Sequence, residues 1–121
     1  MTLSQEKRSY PRIKDRLTLR SASSGAGEMS TTDLSLGGAH VIATRFLPLM
    51  TRVEITLLLP PEEGIDSGPR AVRAEAVVVR VHPPVPVTTA EHYEMALFFS
   101  RMEQRDRSAL ARYLSSQTPA R

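Results

Sequence analysis

Short runs in which every second side chain is apolar occupy the middle of this 121-residue chain, and they point to β structure. The clearest covers residues 52–59, where Val53, Ile55, Leu57 and Leu59 alternate with Arg52, Glu54, Thr56 and Leu58. Such a strand gives one face to a core and the other mostly to water. Residues 92–99 repeat the pattern, with Tyr93, Met95, Leu97 and Phe99 on one side and His92 and Glu94 on the other. In 16–21, Leu17 and Leu19 oppose Arg16, Thr18 and Arg20, and Ala39, Val41 and Ala43 share a parity after Gly37-Gly38. Residues 70–81 change parity partway. Val72, Ala74 and Ala76 lie on one face and Val77, Val79 and Val81 on the other, which predicts a bulge or sharp bend.

The runs are separated by turn chemistry. Residues 60–69 read as a loop throughout. In 82–90, Pro83, Pro84 and Pro86 exclude a ladder, leaving a hairpin loop or a polyproline ligand. The period then changes. Ser100 and Glu103 have the spacing of a capping box, and Leu110, Tyr113 and Leu114 form a narrow stripe on a helix of about four turns. Arg101, Arg105, Asp106 and Arg112 fall on its outward face. The expected fold is mainly β: a small antiparallel barrel at 15–100, with a helix and tail at 101–121. Residues 1–14 carry few apolar side chains and read as a separate basic arm.

Length allows one core and no second domain. Zero cysteines exclude a disulfide scaffold, a thiolate zinc site and a cysteine nucleophile. No apolar run is long enough for a membrane helix, and the charged start is unlike a secretion signal, so a soluble cytoplasmic protein is expected. The net charge of +3 is unevenly placed. Residues 1–20 hold six basic and two acidic side chains, whereas the other 101 hold ten basic and eleven acidic.

Two constellations could carry chemistry. Arg8 and Arg12 flank Pro11 on the arm, and a guanidinium fork suits phosphates and the O6/N7 edge of guanine. The same spacing also fits a plain solvated arm. Asp33 and Ser35 lie two residues apart before Gly37 and Gly38. They can hold a guanine Watson–Crick edge from one strand face, with the glycines allowing close approach, or they can form a turn between strands. His40, His82 and His92 have no metal-ligand spacing and read as solvated or packed, and Glu62-Glu63 reads as a solvated pair. No acid–base or metal constellation marks an enzyme.

Arg8-x-x-x-Arg12 followed by Asp33-x-Ser35-x-x-Gly38 resembles the paired signature of PilZ domains. Glu94-Met95-Ala96-Leu97-Phe98-Phe99 is similar to that family's last strand, with Ala96 where a glycine is common. The resemblance runs from about residue 6 to 116. It implies a single-domain, six-stranded barrel with a C-terminal helix that binds cyclic di-GMP, and no cofactor. Arg8 and Arg12 would grip guanine Hoogsteen edges and phosphates, Asp33 and Ser35 the opposite base edge, and Gly38, beside Gly37, would permit close approach. Lys7 occupies a position implied to favour a stacked nucleotide pair.

The expected function is thus a non-enzymatic bacterial receptor whose arm moves on binding and signals to an effector protein or through homodimerisation. Its nearest rival is an adaptor of the same fold that ignores the nucleotide. A small basic barrel binding single-stranded nucleic acid is disfavoured, because it needs exposed aromatic platforms and a basic groove.

Overall fold

The computed structural model describes residues 16–21, 28–61 and 70–117. The arm with Lys7, Arg8 and Arg12, most of the 60–69 loop and the last four residues lie outside them. Six strands form a closed barrel: β1 (Thr18–Ser21), β2 (Glu28–Leu34), β3 (Gly38–Ala43), β4 (Arg52–Leu59), β5 (Arg70–His82) and β6 (Tyr93–Arg101). The order around the barrel is β1-β2-β3-β6-β5-β4, and every pairing is antiparallel. β4 pairs with β1 to close the ring, so the described strands leave no free edge.

β4 follows its sequence pattern completely: Val53, Ile55, Leu57 and Leu59 are all buried. Leu19, Val41, Met95 and Leu97 meet them inside the barrel. α1 (Gln104–Gln117) adds Leu110, Tyr113 and Leu114 to the same core. Its 14 residues make about four turns, as expected. None of the described helices is long and apolar enough to cross a membrane. The 83–92 connection is a loop anchored by Tyr93, whose hydroxyl accepts from Val87 N at 3.0 Å and donates to Val87 O at 3.2 Å.

Two expectations need correction. Ser100 does not cap α1. β6 runs on to Arg101, and Ser100 is an extra residue in the ladder, because Arg101 pairs with Glu75 while Phe99 pairs with the adjacent Ala76. Its hydroxyl donates to Glu75 O at 3.2 Å, and the first helical bond runs from Arg107 N to Glu103 O. Ser100→Ala should therefore change stability by about 0.5 kcal/mol or less in a urea titration, whereas loss of a true N-cap typically costs ~1 kcal/mol.

The parity change in β5 is real but falls later than the sequence pattern places it. Val78 is fully buried and Val79 is 50% exposed, so the inward set is Val72, Ala74, Ala76, Val78 and then Val81. Val79 is the extra residue, since Val78 pairs with Leu97 and Arg80 with Ala96. The preceding loop fixes it there: Met50 N donates to Val78 O at 2.7 Å and Val78 N to Thr51 O at 2.9 Å.

Candidate functional site

A second bulge sits in β2. Thr31 pairs with Val41 and Asp33 with His40, leaving Thr32 extra. Met29 and Thr31 face the core, so unbroken alternation would aim Asp33 inward as well. The bulge instead puts Leu34 in the core and turns Asp33 outward. The Val79 bulge does the same on β5. After inward Val78, regular alternation would bury Arg80, but Val81 goes in and Arg80 faces out. A carboxylate and a guanidinium are thus delivered to the outer surface by two one-residue insertions.

They meet across a depression of about 530 Å³ on the β2-β3-β6-β5 side of the barrel. Thr32, Asp33, His40, Arg80, His82 and Glu94 supply its polar lining, and Ala96 lies between the strands that carry them. Asp33, His40, Ala96 and Arg80 form one row across four strands, each opposite the next. The Asp33 carboxylate is largely covered, with 15% side-chain exposure, and its Oδ2 lies 3.6 Å from His40 Nδ1. That is an ion-pair distance for a protonated imidazole and beyond a hydrogen bond.

Ser35 and the glycines stand beside the depression and build the turn that enters β3. Ser35 N donates to Gly38 O at 2.9 Å, and Gly37 N donates to Ser35 Oγ at 3.2 Å. The buried Ser35 hydroxyl is also 3.4 Å from Gly38 O. The serine thus holds its own turn, the second of the two roles open to it from sequence. Gly37 O accepts from Phe99 N at 3.0 Å, tying the turn to β6. The space a Cβ would need at Gly38 is filled by the Leu97 carbonyl, with Leu97 C at 3.3 Å and Phe98 Cα at 3.4 Å. Close approach to this glycine comes from the neighbouring strand.

Of the residues expected from sequence, Asp33 alone lines the depression; Ser35, Gly37 and Gly38 shape its border, and Lys7, Arg8 and Arg12 fall outside the described residues. His40, Arg80, His82 and Glu94 were not among the expected site residues. The outward parity of His40 and Glu94 was readable from sequence, but that of Arg80 and His82, and the convergence of all four, depend on the Val79 bulge and on β3 lying next to β6. Among the described residues no group of three or more His, Asp or Glu side chains is placed to hold a metal ion.

A closed six-stranded barrel with a C-terminal helix, and a D-x-S-x-x-G turn beside an outward carboxylate, defines the chain as a small β-barrel module of the PilZ type. The family model for the PilZ domain matches residues 6–116, and the chain belongs to that family, a family of cyclic di-GMP receptors. A search of curated proteins found no match. Among solved structures, the inhibitor of motility MotI/DgrA from Bacillus subtilis superposes with a TM-score of 0.73 at 23% identity. That alignment covers 91% of this chain and 50% of the other, so the chain spans about half of MotI/DgrA. The PilZ domain of YcgR from Escherichia coli, solved with cyclic di-GMP, gives a TM-score of 0.60 at 16% identity, covering 91% of this chain and 90% of that one. At these identities the likeness concerns the fold.

Proposed function

We propose that this chain is a non-enzymatic receptor for cyclic di-GMP, acting in the bacterial cytoplasm and passing the signal on by contact with an effector protein or a second copy. The observation that carries this reading is the outward Asp33 carboxylate, set by a bulge at the wall of a depression of suitable size. A carboxylate accepts from the N1–H and N2–H₂ of guanine, and Arg80 supplies positive charge across the row for a phosphodiester.

Thr31 N donates to Leu17 O at 2.8 Å, and Leu17 N donates to Thr31 Oγ1 at 2.8 Å. Thr31 is two residues from Asp33 on β2, so the described chain around Leu17 runs beside the strand that carries Asp33. Arg12 is five residues before Leu17, a reach of about 17 Å when extended. Arg8 and Arg12 would close over the nucleotide from there. Lys7, Ser35, Gly37 and Gly38 complete the proposed set, the last three by fixing the turn that borders Asp33.

A second reading, the same fold acting as an adaptor without the nucleotide, draws on the turn itself. Ser35 and Gly38 are both accounted for by barrel architecture, so their presence alone does not require a ligand. Titration calorimetry separates the two. The receptor binds cyclic di-GMP with a Kd in the micromolar range or tighter, about −8 kcal/mol or more. No heat at high micromolar nucleotide selects the adaptor. The fitted stoichiometry reports whether one nucleotide or a stacked pair is taken, the question raised by Lys7.

A further inference from the structure

The wall of the depression opposite the Asp33 motif is built from residues that belong to neither arginine nor aspartate signature. His40 stands on β3, opposite both Asp33 and Ala96. His82 stands on β5, opposite Glu94, which in turn pairs with Ile42 two residues along β3 from His40. Both imidazoles line the depression, and the His40 side chain is 43% exposed. With Nδ1 turned toward Asp33, His40 keeps Nε2 for a ligand.

The charged groups facing these rings can be named from every adjoining element. β2 supplies Asp33, β6 supplies Glu94, and β5 itself supplies Arg80. The segment 46–51, which pins β5 at Val78, contains no titratable side chain, while Glu91 and His92, on the approach to β6, stand outside the lining. With both imidazoles neutral, two carboxylates against one guanidinium leave the depression at −1. Protonating both takes it to +1. Protonation of the two rings therefore reverses the sign of the surface.

We propose that His40 and His82 are ligand-contacting residues that make nucleotide affinity depend on pH, so that cyclic di-GMP is held more tightly as the solution becomes more acidic. This rests on the reading of the depression as the nucleotide site. The ligand's two phosphodiesters and the arginines keep their charge, whereas a proton added to either ring turns a neutral side chain into a cation facing the ligand. Binding to the protonated form takes up protons. At a separation of about 6 Å in a water-like medium, each new positive charge is worth about threefold in Kd, and two about tenfold.

The test is calorimetric titration of cyclic di-GMP into the full chain at pH 5.5, 6.5 and 7.5 and constant ionic strength. At pH 6.5 it is repeated in two buffers of different ionisation enthalpy. The wild type should tighten about tenfold from pH 7.5 to 5.5 and show proton uptake at pH 6.5. His40→Gln and His82→Gln should each remove about half of the logarithmic slope. The double variant should bind with a flat pH profile and no buffer dependence, and His92→Gln should behave as wild type. A wild-type Kd constant within twofold across the range with no proton uptake overturns the proposal, as does a double variant that keeps the slope. Absence of binding at every pH overturns the receptor reading and this proposal with it, a result distinct from flat binding. The proton count at pH 6.5 decides the matter even if acid conditions weaken the fold.

Discussion

Gly38→Ala is expected to destabilise the barrel by about 3 kcal/mol, the upper end of the usual cost of forcing a methyl group into a filled space. The obstacle is the Leu97 carbonyl of β6, backed by Leu97 C and Phe98 Cα, so the added carbon meets main chain. A flexible side chain could swing aside, but this carbonyl belongs to a paired strand. Gly38 pairs with Phe98 and Ala39 with Leu97, and the adjoining Gly37 carbonyl accepts from Phe99 N. Relief requires the β3–β6 seam to open where the Ser35 turn enters it. Against a total stability of about 5–15 kcal/mol for a domain, this is a large fraction. Urea unfolding should show the loss as a lower midpoint with an unchanged slope. A midpoint equivalent to a change below about 0.5 kcal/mol would refute the assignment. The consequence for function is direct: a Gly38 variant that fails to bind nucleotide has first to be shown folded, because this glycine serves the barrel.

How far the sequence discloses this molecule depends on whether a feature is local. β4 was fully legible, because its neighbours accept strict alternation from Val53 to Leu59. The α1 stripe of Leu110, Tyr113 and Leu114 was legible for the same reason. β5 showed that its pattern slips, but Val77, Val78 and Val79 are chemically equivalent, and only the hydrogen bonds from Met50 and to Thr51 decide which one leaves the core. Ser100 and Glu103 matched a capping box, yet strand pairing with Glu75 claimed Ser100 first. The site divides along the same line. Asp33 was named from its motif, whereas the bulge that turns it outward depends on the register against His40 and Val41. Arg80 and His82 join it only because β6 lies between β3 and β5, a long-range choice that no local pattern records.

The arm carries the other large effect. Arg8→Ala combined with Arg12→Ala should weaken cyclic di-GMP binding by about thirtyfold or more, since each bidentate arginine contact with guanine discriminates by about 1–3 kcal/mol. Stability should stay within about 0.5 kcal/mol of the wild type, the usual range for replacing charged side chains, which seldom join a core. That separation makes the variant informative where Gly38→Ala is not. Asp33→Ala should cost binding about tenfold or more, again on the scale of one polar base contact. Combining the three substitutions then tests whether arm and barrel hold the same nucleotide. If they do, removing Asp33 from a protein whose arm no longer closes should cost much less than removing it from the wild type. The effects are then non-additive, as for residues that share one ligand. Full additivity would mean that the arm and the Asp33 wall act on binding independently. A double arginine variant that keeps its Kd within threefold would remove the arm from the mechanism and leave the depression to bind alone.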